Sequence, residues 1–423
     1  MSSPKSSAKP HSVAEPGRRR DLDSMRIFVV AGLVLFHSAR IFDTGDFYVK
    51  HEPTSELVDV LISFAALWGM PLLFIVSGMG MAYSLRSRTT KEFGVERLRR
   101  LLVPLIFGVI VIVPPQIWTR LRSDPTYDES YLHFLPRFLD VRLELGNFPF
   151  VVGANPATGL FEWGHLWFLL LLFSWSLLLL PVIRYLQSPG GRRLVDRLAD
   201  QVDRFWVIVA AGVPLAVLEG ALGSEEEWAG WNRYSYAVFL LYGYLLAADP
   251  RYGRAVGRHR RRALTLGIAT FAVVGALFAV ADSSVGADPL LDFDVASVSM
   301  RMVKGLSGWL WVIAIMGFAR GRSGGAAKRS REPTVIDRVG AYASEAVLPF
   351  YVLHQTVIVL LGFSIVEWPI HAALQYLIIC TASLVTILAI YDLTVRRTPP
   401  TRFLFGMKTP TADPPLSRHV CER

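Results

Sequence analysis

The residues best placed to do chemistry share one apolar stretch near the start of the chain. It reads Leu22-Asp23-Ser24-Met25-Arg26-Ile27 and runs on to Leu35-Phe36-His37. As a helix, the Arg26-to-His37 separation falls about 20° from whole turns, so both side chains project from one face, roughly 16 Å apart along the axis. Asp23 lies within about 40° of the same stripe. A neutral imidazole takes a proton near physiological pH, and a guanidinium grips an anion through paired N–H groups. An edge arginine can also simply snorkel, and a histidine can be satisfied by a neighbouring helix. Two ionisable groups on one stripe of an apolar helix favour a buried site reached from one side.

Further constellations follow along the chain. Arg97 and Arg100, three apart in Arg97-Leu-Arg99-Arg100-Leu-Leu-Val-Pro104, share a helical face and could hold phosphate with Arg26, or anchor the chain at a membrane surface. Gly69-Met-Pro71-Leu-Leu-Phe74-Ile-Val-Ser77-Gly78-Met-Gly80 clusters small residues. They allow close helix approach or leave room for a narrow ligand arm, with Ser77 as its polar contact. Gly164-His165-Leu166-Trp167-Phe168 follows Glu162 at a helix start, where His165 and Trp167 either anchor or support a substrate. Pro349-Phe350-Tyr351-Val352-Leu353-His354-Gln355 puts His354 inside another apolar run, as a helix–helix hydrogen bond or a substrate group.

The elements that must position these residues are membrane helices. The chain has 423 residues, 52% of them hydrophobic, typical of a polytopic membrane protein. The expected fold class is all-α, a polytopic bundle of about ten transmembrane helices. Apolar runs place them near 24–43, 57–84, 101–119, 163–184, 204–222, 231–248, 263–282, 301–319, 346–366 and 370–392. Basic residues crowd alternate connections, for example Arg97, Arg99 and Arg100, then Arg258, Arg260, Arg261 and Arg262. The intervening ones are poorer, and one carries Glu225, Glu226 and Glu227. The positive-inside rule then puts both termini in the cytoplasm, with the chain in the cytoplasmic membrane. Residues 1–20 read as a disordered cytoplasmic tail, 21–395 as the membrane domain and 396–423 as a second cytoplasmic tail. Residues 120–162 form the one long outward connection, too aromatic for disorder.

Several function classes are excluded. The net charge of +9 is spread between spans and forms no nucleic-acid patch. GxxxxGK[ST], GxSxG and HExxH are absent, which removes an ATP-driven pump, a serine elbow and a zinc protease. The two cysteines, Cys380 and Cys421, make neither a disulfide framework nor a metal site.

Taken in order, these strings resemble the membrane-bound acyltransferase-3 family, which acylates extracytoplasmic glycans. The matching pieces are Leu22-Asp23-Ser24-Met25-Arg26 with His37-Ser38, Leu73-Phe74-Ile75-Val76-Ser77-Gly78, and Arg97-x-x-Arg100 before Pro104. Gly164-His165-Leu166-Trp167-Phe168-Leu169 and Leu348-Pro349-Phe350-Tyr351-Val352-Leu353-His354-Gln355 complete the set. The first and fourth look most like the branch that decorates periplasmic glucans. The resemblance implies a ten-helix fold, acyl-CoA (acetyl-CoA or succinyl-CoA) as cytoplasmic donor, and no metal. It implies Arg26 and His37 as the key pair, with Arg97 and Arg100 at the donor. The chain departs from two-part members in lacking their esterase-like domain, and Ile27 stands where glycine is common.

The expected function is transfer of a short acyl group from CoA to a sugar hydroxyl outside the membrane. His37 takes the acceptor proton, directly or through a covalent acyl step. Membrane lipid, an extracytoplasmic glycan and acyl-CoA are the expected partners, and nucleic acid is not. The rival is a secondary transporter of an anionic or acylated metabolite, which buried charge would suit. The missing internal repeat counts against it.

Overall fold

A computed structural model describes residues 16–283, 286–323 and 334–407. Most of the two expected tails, Cys421, and the basic residues Lys328, Arg329 and Arg331 lie outside that range. The fold is an all-α polytopic bundle. Its main helices are α1 (Pro16–Ala39), α2 (Glu56–Ser87), α3 (Thr90–Arg122), α4 (Gly164–Leu178 with Leu180–Gln187), α5 (Phe205–Leu222), α6 (Arg233–Ala248), α7 (Pro250–Ala281), α8 (Val295–Ser323), α9 (Val335–Ile365) and α10 (Ala372–Val395).

Every apolar run in the sequence corresponds to one of these helices. Among the described residues, eight are long and apolar enough to cross a membrane, or nine if the two parts of α4, bent by 45°, form one span. The remaining helix, α6, has 16 residues. At about 1.5 Å per residue it covers roughly 24 Å, short of a hydrocarbon core of about 30 Å.

Several helices begin well before their apolar runs, and capping explains two of them. Thr89 and Glu92 exchange side-chain-to-backbone hydrogen bonds ahead of α3. Thr334 and Asp337 do the same ahead of α9. Each satisfies orphan N–H groups at the helix start. As a result His354 lies nineteen residues, about 28 Å, from the start of α9.

The chain forms two compact units. The first comprises Met1–Gly32, Val60–Phe93 and Ser174–Ser344. In it α8 packs along α7 and α5. α2 and α6 cross closely: a Cβ on Gly78 would lie 2.0 Å from the Leu240 carbonyl oxygen, and one on Gly243 2.0 Å from that of Ile75. Gly78 of α2 therefore serves helix packing.

The second unit comprises Leu33–Asp59, Gly94–Phe173 and Glu345–Arg423. Here α3 carries two π-helical turns, Leu98–Leu102 and Gly108–Ile112. Pro104 and Pro114 follow them, and each lacks the N–H its preceding turn would accept. Residues 120–162 are folded. A helix, Tyr131–Phe138, starts where the Ser130 side chain accepts from the His133 N–H. Strands β1 (Val141–Leu143) and β2 (Val152–Ala154) pair antiparallel, with Arg142 opposite Gly153. Phe134, Phe138, Phe161 and Trp163 follow one another with ring centroids 5.9, 5.6 and 5.3 Å apart.

Candidate active site

Three histidines from three helices meet inside the second unit. His37 lies at the end of α1, His165 in the first turn of α4, and His354 within α9. The His354 ring centroid is 5.0 Å from that of His37 and 4.9 Å from that of His165. His354 and His165 are buried, while His37 keeps part of its surface accessible.

Local sequence puts the rings there. Gly164 has φ +50°, a left-handed conformation that glycine adopts freely, and the turn it makes directs His165 inward. Next to it, Leu166 fills the notch left by Gly108 of α3, where a Cβ would lie 2.4 Å from Leu166 Cδ1. The Tyr351 hydroxyl donates to the His165 carbonyl. Gln116 of α3 donates to Thr356 Oγ1 at 2.6 Å and accepts from Gln355 Nε2 at 2.8 Å, fixing α9 directly after His354.

Hydrogen bonding sets the tautomers. A carbonyl oxygen only accepts, so the ring nitrogen facing it carries the hydrogen. His354 Nδ1 donates to the Tyr351 carbonyl at 2.6 Å, and His165 Nε2 donates to the Val352 carbonyl at 3.0 Å. In the neutral rings, His354 Nε2 and His165 Nδ1 then carry bare lone pairs. Both are buried without a hydrogen-bond partner among the described residues, and so is His37 Nδ1. Buried polar atoms are seldom left so. Clustered lone pairs of this kind can take up and hold a proton.

The segment following α1 packs against His37. The Phe47 ring stacks against His37 at 6.2 Å, and the Arg40 guanidinium lies 5.9 Å from the Phe47 ring centre. Fully buried Asp43 pairs with Arg40 and with Lys50 at 2.5 and 2.7 Å. Tyr48 donates to Glu162 at 3.1 Å, and Arg120 reaches the same carboxylate at 2.7 Å. Burial, and then the Glu162 charge, push the Tyr48 phenol well above its ordinary range, so it stays a donor.

The other sequence-derived candidates are distributed between the units. Asp23, Arg26 and Ser77 belong to the first. Arg26 pairs with Asp23 at 3.5 Å and donates to the Val76 carbonyl at 3.5 Å. Gly80 makes room for it, since a Cβ there would lie 2.6 Å from Arg26 Nη2. Ser77 is half-buried beside Val76. Arg97 and Arg100 belong to the second unit, where Arg100 pairs with Glu96 at 3.4 Å. Trp167 is buried two residues past His165.

Sequence reasoning overlooked Gln116, Phe47, Tyr48 and the Asp43 pairs. Gln116 was findable as a lone amide in an apolar run. The residues around Asp43 carry no periodic signal. Among the described residues, no group of three His, Cys, Asp or Glu side chains is arranged to hold a metal ion.

The helices describe a multi-pass membrane protein, and inside it three histidines from separate helices form one cluster. The acyltransferase-3 family, described as an acyltransferase domain, matches residues 19–392, nearly the whole chain. The chain belongs to that family and is a membrane acyltransferase. No curated protein matches it, and no solved structure does.

Proposed function

We propose that the protein moves a short acyl group, acetyl or succinyl, from acyl-CoA in the cytoplasm to a hydroxyl of a glycan outside the cytoplasmic membrane. The observation that carries this reading is the set of three buried imidazole nitrogens without partners, around a histidine that stays partly accessible. His37 removes the acceptor hydroxyl proton. The hydroxyl oxygen bonds to the thioester carbonyl carbon, the C–S bond breaks, and the proton on His37 passes to the leaving sulfur. The lone pair of His354 offers that proton a second resting place, and His165 walls the site. Arg26, Arg97 and Arg100 are the arginines assigned to the donor. Residues 120–162, folded and rich in aromatics, are assigned to the glycan. A thioester-to-ester exchange is close to balanced, so the absence of an ATP-binding motif fits.

The test is purified protein with acetyl-CoA, following free thiol with and without candidate glucans. Acceptor-dependent thiol release is expected. Movement of a metabolite with no thiol released from acetyl- or succinyl-CoA would sink the reading in favour of a transporter. Orientation is tested separately: a cysteine replacing Asp128 reacts with an impermeant reagent from outside, and one replacing Arg258 does not. The reverse pattern would remove the cytoplasmic donor.

A further inference from the structure

A cavity of about 830 Å³ opens within the first unit, at the C-terminal ends of α2, α4 and α6. Its size falls within the range of small-molecule sites. On the proposed orientation these ends face the cytoplasm. Arg86, Arg184 and Arg192 line it. Each is engaged by a neutral oxygen: Arg86 by the Ala247 carbonyl at 2.7 Å, Arg184 by Gln187 Oε1 at 3.5 Å, and Arg192 by the Gln187 carbonyl at 3.0 Å. The Tyr83 ring lies 5.0 Å from the Arg86 guanidinium and helps set its position. A guanidinium has five N–H donors, so these contacts leave donors to spare.

The acidic side of the cavity is only partly offset, by one guanidinium, Arg251, which also pairs with Asp200 at 2.6 Å. The cavity's carboxylates, Asp196 and Asp249, both pair with Arg251 at 2.7 Å. Among the described residues, no carboxylate pairs with the three lining arginines. Arg26 and Arg100, by contrast, carry Asp23 and Glu96. Ser188, which also lines the cavity, caps the helix Pro189–Gln201. The N-terminus of that helix adds partial positive charge. A partly open cavity whose three lining arginines outnumber its two lining carboxylates, beside a helix start, suits a compact anion.

We infer that this cavity is a docking site for a phosphate-bearing group. Two sources have that chemistry: the phosphorylated nucleotide end of acyl-CoA, and the headgroup of an anionic phospholipid. The first rests on the proposed function; the second does not.

The experiment uses full-length protein in nanodiscs and a variant with Arg86→Gln, Arg184→Gln and Arg192→Gln. CoA binding is measured by calorimetry, and retention of phosphatidylglycerol over phosphatidylcholine by native mass spectrometry. A triple Arg→Lys variant controls for folding and keeps the charge without the bidentate fork. If the nucleotide docks there, the Gln variant binds CoA about tenfold more weakly or worse, and the Lys variant falls between. If a headgroup docks there, CoA affinity stays put and the phosphatidylglycerol preference disappears. A folded Gln variant that changes neither overturns the site. Wild-type protein that binds no CoA and releases no thiol defeats the proposed function alone, because the lipid arm still reads the cavity.

Discussion

Glu219 and His354 are both fully buried, one in each unit, and their surroundings treat them oppositely. Both Glu219 carboxylate oxygens are saturated. One accepts from the Asn232 N–H at 2.9 Å and from Ser235 at 2.6 Å. The other accepts from Ser224 at 2.6 Å and pairs with Lys304 at 3.0 Å. His354 has one nitrogen tied to a backbone carbonyl and the other bare, beside two more bare imidazole nitrogens. A saturated buried network holds helices together and has little left to offer a substrate. An unsaturated one costs stability and keeps its capacity for chemistry. Buried polarity therefore marks both clusters, and saturation is what distinguishes them.

That contrast can be broken by mutation, starting with the largest effect. His37→Gln keeps hydrogen bonding but cannot take a proton, so acyl transfer should fall by about 10²–10⁴-fold while the melting transition stays in place. Thiol release and thermal unfolding on one preparation check this, and near wild-type turnover would remove His37 as the base. Glu219→Ala should do the reverse. It strands Lys304 and several buried donors, so it should cost about 3–5 kcal/mol of stability, with folded survivors turning over normally.

His354→Phe sharpens the comparison, because it replaces a ring carrying an orphan lone pair with an apolar one of similar shape. Activity should drop roughly tenfold, the scale of one net hydrogen bond, with stability unchanged or higher. A protein that unfolds instead would put His354 in the same class as Glu219. The smallest effect is expected from Gln116→Leu, which releases Gln355 and Thr356 and should lower unfolding stability by about 1 kcal/mol. A modest loss of activity should accompany it as α9 loosens.

Much of this was legible in the sequence, for identifiable reasons. Apolar runs marked the bundle helices because the hydrocarbon core demands long unbroken runs. His37, His165 and His354 stood out because ionisable groups are rare at depth. What hydropathy missed was written in other terms. The early starts of α3 and α9 are carried by Thr89-x-x-Glu92 and Thr334-x-x-Asp337, polar signals that an apolar scan passes over. The meeting of three histidines from stretches far apart in the chain has no local signature at all. Nor do the tautomers, which depend on carbonyls of Tyr351 and Val352 that every helix possesses. The roles given to the small residues of α2 also needed coordinates: Gly78 admits a helix, and Gly80 admits Arg26.

The second unit is assembled from three separate stretches of chain, the last beginning at Glu345, and this has a consequence for biosynthesis. His165 and His354 are 189 residues apart. At a synthesis rate of about 5–20 residues per second, the ribosome needs roughly 10–40 s to pass from one to the other. During that interval His37 and His165 are already made, and the imidazole that lies between them does not yet exist. A nascent or truncated chain can therefore carry nearly every helix of the first unit and still lack the histidine cluster. The cluster is completed late, by delivery of the ninth helix.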